Sequence, residues 1–203
     1  MTKKIDEFNL IVAGVGGQGS VLASHIIAEA AIAVGLKVRV GETFGAAQRG
    51  GKVHSHIRIG RDVYGPLCPK GSLDVLVGLE PNETLRLAVD YAAPGTFVLT
   101  NTRPVLPMDA NIGTDEYPEI DDIVDGLRRL SKTVVAFDMT DLAVKAGNER
   151  TLNVVMLGAL AASGRLPFDA GSLRDAIVER IPPKTVEANM EAFRLGSEHL
   201  GSV

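Results

Sequence analysis

Two stretches of this chain combine residue types and spacings that can do chemistry. The first is Asn9-Leu-Ile-Val-Ala-Gly-Val-Gly-Gly-Gln-Gly-Ser. Gly14, Gly16 and Gly19 fall in G-x-G-x-x-G spacing, with Gly17 and Gln18 between them. In that pattern the first glycine allows a tight turn and the second lets a ligand approach bare main chain. The third lets a helix pack close to the strand. The helix that follows presents free N–H groups above the turn, a place for an anion such as a phosphate. The same glycines can equally serve only a close strand-to-helix turn, for example at a subunit interface. The second stretch is Glu42-Thr-Phe-Gly-Ala-Ala-Gln-Arg-Gly-Gly-Lys-Val-His-Ser-His-Ile-Arg. Here Gly50 and Gly51 stand beside Gln48 and Arg49, so main chain and guanidinium can converge on one acceptor. The plainer reading is a wide hairpin turn with a solvated arginine.

The elements that must position these loops follow from the hydrophobic pattern. Leu10–Ala13 is a short β-branched apolar run, suited to a strand covered on both faces. Gln18–Val34 reads as the first helix and Leu36–Val40 as the second strand, leaving Glu42 in a glycine-bounded loop. Lys52–Ile59 alternates, which puts His54, His56 and Arg58 on one face and Val53, Ser55, Ile57 and Ile59 on the other. The His–Arg face can bind an anion or a partner carboxylate; two histidines alone make a weak metal site. His25 and Glu29 read as a solvated i,i+4 pair. Leu73–Leu79 is a further strand, with Glu80 at its end as a site candidate or a cap for a helix over Asn82–Tyr91. Gly95–Thr100 and Thr133–Phe137 complete the strands. Helices are expected over Ile123–Leu130, Leu142–Ala146, Leu152–Ser163, Leu173–Ile181 and Thr185–Leu200, with Thr151 as an N-cap. Arg103–Asp122, rich in Pro, Asp and Asn, reads as an irregular excursion. The expected architecture is α/β: a Rossmann-like open, mostly parallel sheet with helices on both faces, as one domain over residues 1–203.

Composition removes whole classes. With 203 residues, 45% of them hydrophobic, the chain can build a substantial core. A net charge of −4 and the lack of a basic aromatic-rich patch leave no basis for a nucleic-acid partner. No apolar run reaches membrane-spanning length, and Met1-Thr-Lys-Lys-Ile-Asp-Glu leads into the first strand without a signal-peptide pattern. The expectation is a cytoplasmic protein without a membrane segment. The single cysteine, Cys68, excludes an internal disulfide and a cysteine-ligated cluster or zinc site built from this chain alone.

No catalytic set can be assembled. There is no G-x-S-x-G elbow, no lysine-bearing phosphate loop, no H-E-x-x-H and no Cys–His pair. A dinucleotide site would want an acid about 20 residues beyond the last glycine; Arg39 stands near that place. Two glycine-rich loops without chemistry of their own suggest a subunit that completes a site on another chain.

The two motifs in this order resemble the gamma-type subunit of the 2-oxoacid:ferredoxin oxidoreductases. Within that family they look most like the small subunit of the indolepyruvate enzymes. The resemblance runs along almost the whole chain. It implies a non-catalytic subunit, inactive alone, with thiamine diphosphate and [4Fe–4S] clusters on a large catalytic partner. It also implies CoA as co-substrate and ferredoxin as electron acceptor, in the oxidative decarboxylation of an arylpyruvate to an acyl-CoA. No cofactor is expected on this chain alone. The candidate cofactor-binding or subunit-interface residues are Gly14, Gly16, Gly17, Gln18, Gly19, Glu42, Gln48, Arg49, Gly50 and Gly51. Pyruvate, 2-oxoisovalerate and 2-oxoglutarate enzymes use a similar domain. A stand-alone NAD(P)- or flavin-binding oxidoreductase and a scaffold that binds no small molecule remain the other readings.

Overall fold

The apolar run near the start of the chain forms β1, Phe8–Val15, buried along its whole length. In this computed structural model, residues 5–45, 51–105 and 117–201 are described. Helix α1 spans Ser20–Ala33. It leads to β2, Val38–Phe44, and β3, Lys52–Ile59. Then follow β4, Val75–Gly78, α2, Pro81–Tyr91, and β5, Phe97–Asn101. Helix α3, Ile120–Leu130, precedes β6, Thr133–Phe137, and α4, Met139–Lys145. A 3₁₀ turn at Glu149–Thr151 enters α5, Leu152–Ala162, followed by α6, Ala170–Arg180, and α7, Val186–Gly201. None of these helices is long and apolar enough to cross a membrane.

The strand order is β2-β3-β1-β4-β5-β6. β1, β4, β5 and β6 pair in parallel, while β3 is antiparallel to both β1 and β2. β2 therefore runs the same way as β1 but is separated from it by β3. Two apolar layers cover the sheet. On one face Leu10, Val12, Val77 and Leu99 pack with α1, α4, α5, α6 and α7. On the other, Ile11, Leu76 and Val98 pack with α2 and α3. The mostly parallel sheet with helices on both faces is thus as expected.

Helix α5 is apolar on every side except at Asn153 and is enclosed; Leu152 through Leu160 are all buried. Its closest neighbour is α7. A β-carbon on Gly158 would lie 2.1 Å from the carbonyl oxygen of Phe193, and one on Gly196 would lie 2.0 Å from that of Val155. The Ser197 hydroxyl crosses the same contact and donates to the Gly158 carbonyl at 2.9 Å.

Several local expectations need correcting. β2 continues through Gly41 to Phe44, so Glu42 lies in a strand and not in a loop. Gly41 pairs with His56 across to β3, and its missing side chain makes room for Pro66, whose Cβ would be 3.0 Å from an added β-carbon. The His–Arg face of β3 is not an open binding surface. His56 is buried, its Nδ1 accepts the Cys68 N–H at 3.2 Å, and its ring meets Tyr91 edge-on at 5.2 Å. Arg58 is used up by Asn9, Glu7 and the Gly65 carbonyl. Thr151 does not cap α5 with its side chain; its hydroxyl donates to the Asn148 carbonyl, and Asn148 Oδ1 caps the preceding 3₁₀ turn. His25 and Glu29 do not pair with each other. His25 meets Glu42 at 2.8 Å, Glu29 meets Arg180 at 2.5 Å, and Arg180 also reaches His25 at 3.3 Å. This surface network ties β2 and α6 to α1.

Candidate functional site

The sheet has its topological switch between β1 and β4: β1 connects through α1 on one face, β4 through α2 on the other. In open α/β sheets the crevice outside the strand C-termini at such a point is the usual ligand site. Here the glycine turn forms one wall of that crevice. Gly17 and Gly19 have φ of 104° and 78°, the left-handed region that glycine enters without a steric penalty. Gly14 leaves space for the Gln18 amide, since a β-carbon there would sit 2.9 Å from Gln18 Oε1. Gly19 is pressed against α5, with an added β-carbon 2.6 Å from Asn153 Nδ2. The third glycine therefore serves the contact between α1 and α5, not a contact with the strand.

The turn and the second glycine-rich loop meet. The Gly16 N–H donates to the Gly51 carbonyl at 2.8 Å, and the Gly45 N–H to the Lys52 carbonyl at 2.7 Å. Gly14, Gly16, Gly17, Gln18, Gly19 and Gly51 are thus brought together. Glu42 is held apart by His25, and Gln48, Arg49 and Gly50 lie outside the described residues.

A cavity of about 200 Å³ opens beside the turn, lined by Gly17, Gln18, Arg103, Val105, Thr140, Glu149 and Arg150 among others. Its walls carry both signs of charge. Arg103 makes a forked pair with Asp138 Oδ2, at 2.6 and 3.1 Å. Burial pushes the Asp138 carboxyl up, but Arg103 and the Asp141 N–H outweigh it and hold the group below the usual carboxylate range. Asp138 also caps α4 through that N–H. The Arg150 guanidinium has no ion pair among the described residues. Such walls can orient a polar or zwitterionic group; among the described residues they pair no nucleophile with an activating base. A larger groove, about 900 Å³ between α6 and α7, holds none of the residues singled out from the sequence.

Glu80 proves to be a cap. Its Oε2 accepts the Glu83 N–H at 2.8 Å, and its Oε1 accepts the Tyr117 hydroxyl at 2.5 Å. Burial and this hydrogen bond to Glu80 both raise the Tyr117 phenol. Thr140 and Arg150, which line the cavity, and Asn101 and Asn153 beside it carry no motif in the sequence. A polar residue closing a buried strand, as Asn101 does, is the one signal that could have marked any of them.

The donor set of this chain does not fit a cluster. Cys68 is the single cysteine, it is buried, and burial pushes its thiol up to about 12. Among the described residues no group of His, Cys, Asp and Glu could hold a metal ion. A dinucleotide geometry is also lacking: the neighbour of β1 on the α1 side is the antiparallel β3, so Arg39 at the far edge cannot take the ribose position.

The pattern of the family described as pyruvate ferredoxin/flavodoxin oxidoreductase matches residues 9–199. The indolepyruvate oxidoreductase subunit IorB of Thermococcus kodakarensis is 40% identical, covering 94% of each chain. That of Archaeoglobus fulgidus is 43% identical, over 93% of this chain and 92% of its own. The gamma subunit of a keto/oxoacid ferredoxin oxidoreductase from Geobacter sulfurreducens superposes with a TM-score of 0.70 at 26% identity, covering 97% of this chain and 99% of its own. The chain belongs to the pyruvate ferredoxin/flavodoxin oxidoreductase family, as a small subunit of a 2-oxoacid:ferredoxin oxidoreductase complex.

Proposed function

We propose that this chain is the small subunit of an indolepyruvate or closely related arylpyruvate:ferredoxin oxidoreductase. The observation that carries the reading is the level of identity to IorB subunits over nearly the full length of both chains. The large catalytic partner supplies thiamine diphosphate and [4Fe–4S] clusters, which give the complex its decarboxylating and electron-carrying chemistry. CoA accepts the acyl group, ferredoxin accepts the electrons, and the complex works in the cytoplasm. This chain, as a single domain, contributes a shaped surface: the glycine turn, Gly51 and the mixed-charge crevice between Gln18 and Arg103. The mixed-charge walls of the crevice support a binding and positioning role.

The test is reconstitution. The purified chain alone is expected to turn over no arylpyruvate and to show no visible chromophore. Co-expressed with its large subunit, it should reduce ferredoxin with indolepyruvate in a CoA-dependent way. Turnover by the chain alone would end the subunit reading. A complex faster with pyruvate or 2-oxoglutarate than with any arylpyruvate would end the substrate reading.

A second test addresses Gln48, Arg49 and Gly50, which we place at the partner interface or its cofactor. Arg49→Ala is expected to weaken assembly or turnover, because truncating one partner of a buried charge contact strands the other. Glu191→Ala on α7, which loses only an exposed pair with Arg194, should be near neutral. Equal, negligible effects from both would reduce the loop to a hairpin turn.

A further inference from the structure

Leu79 follows β4 at the centre of the sheet, and its carbonyl oxygen accepts two side-chain amides. Gln18 Nε2 donates from the glycine turn at 2.9 Å, and Asn101 Nδ2 donates from the end of β5 at 3.2 Å. The other ends of both amides are also taken by main chain. Gln18 Oε1 accepts the Val15 N–H at 2.9 Å, which fixes the start of the turn. Asn101 Oδ1 accepts the Met139 N–H at 2.9 Å, and its Nδ2 also reaches Thr140 Oγ1 at 3.1 Å, which fixes the start of α4. Asn101 is 1% exposed, so its bonds to Leu79, Met139 and Thr140 are made away from water, where leaving one unmade is costly; Gln18 is half-buried. The two amides form one continuous lattice from β1 across β4 to β5 and α4. The Asn101 amide also reaches the Arg103 carbonyl at 3.4 Å, and Gln18, Arg103 and Thr140 line the same cavity.

We propose that Gln18 and Asn101 are positioning residues. They set the spacing between the glycine turn and the Arg103–Thr140 wall, and so the width of the crevice for the group that enters it. Gln18 then acts through the turn it braces, not as a ligand contact. The proposal rests on the reading that this crevice is used when the assembled oxidoreductase turns over. A crevice of the wrong width holds its group less tightly before and during reaction alike, so the effect reads out in KM.

Gln18→Glu gives the sharpest test, in the complex with the catalytic subunit. A neutral glutamic acid has the shape of glutamine: its carbonyl can accept from Val15 and its O–H can donate to Leu79. The carboxylate has no donor and sets a negative charge against the Leu79 carbonyl. At pH above the carboxyl pKa, KM for one of the three co-substrates (2-oxoacid, CoA or ferredoxin) should rise by roughly tenfold, with kcat unchanged. It should return toward the wild-type value as the pH falls. Gln18→Leu should show the raised KM at every pH, and Asn101→Asp should follow Gln18→Glu. The 2-oxoacid used is the one the wild-type complex consumes fastest, so an error about the arylpyruvate does not disguise the result. Hydrogen exchange at the Val15 and Met139 amides supplies a reading free of substrate, and should quicken in the matching variant. Wild-type KM values for both Gln18 variants across the pH range would overturn the proposal, even if their melting temperatures fell. Unchanged exchange at Val15 in Gln18→Leu would overturn it too.

Discussion

Replacing Gly196 by alanine is expected to destabilise the protein by about 3 kcal/mol. The added methyl would have to occupy a point 2.0 Å from the Val155 carbonyl oxygen. That atom belongs to the backbone of a buried helix and cannot swing away as a side-chain tip would. Helix α7 must then move off α5, opening gaps around Ala192 and Leu157, both fully buried. The gain in helix propensity on losing a glycine, about 1 kcal/mol, offsets only part of this. Gly158→Ala forces the same separation, from the other helix against Phe193. The double variant should therefore cost clearly less than the sum of the two single ones, because one displacement relieves both clashes. Denaturant unfolding of the three variants measures this. A loss within about 0.5 kcal/mol for either single change, the range of an ordinary surface substitution, would mean that the helices are not held at this distance.

The second large effect is a dependence of stability on pH through His56. The ring is buried on the α2 side of the sheet, beneath Tyr91 and beside His54, and its Nδ1 is already occupied by the Cys68 N–H. Burial, with a smaller push from His54, brings its pKa down from 6.5 to about 4. Burial and the positive Arg86 lower the neighbouring His54 in the same direction. Above pH 6.5 the ring is neutral in both folded and unfolded chains and its stabilising share is fully present. As pH falls from 6.5 toward 4, the unfolded chain takes up a proton that the folded chain refuses. Stability should drop over that window by roughly 3 kcal/mol on account of His56. Below about pH 4 the folded ring is protonated as well and the loss levels off. His56→Asn keeps an acceptor near the Nδ1 position but cannot titrate. Its unfolding free energy should therefore vary less steeply than that of the wild type between pH 6.5 and 4. Parallel slopes for the two proteins would show that the buried ring takes its proton without penalty.

These two effects also mark the boundary between local and tertiary information. The alternation of Lys52–Ile59 correctly placed His54, His56 and Arg58 on one face, because side chains of a strand must alternate. It carried no information on what would cover that face. The cover comes from residues 61–72 and from Tyr91 on α2, brought there by chain reversals that no period encodes. The same holds for α5. Its apolar, alanine-rich run announced burial, but only the packing of α7 onto it gives Gly158 and Gly196 their purpose.

For the site, the sequence by itself determined the glycine turn and the strand that feeds it. Both follow from local sterics: G-x-G-x-x-G after a β-branched apolar run has few other uses. It also determined the family, since two motifs in fixed order on a chain of this size are specific. The tertiary structure alone decided the strand order, in which β3 inserts between β1 and β2 and removes the geometry of a dinucleotide site. It alone turned Gln18 inward onto Leu79, made Glu80 a cap, and brought Asn101, Arg103 and Arg150 to the crevice. These groups lie up to about 130 residues from the turn along the chain, and only the alignment of strand ends in the sheet and the packing of helices on it bring them there.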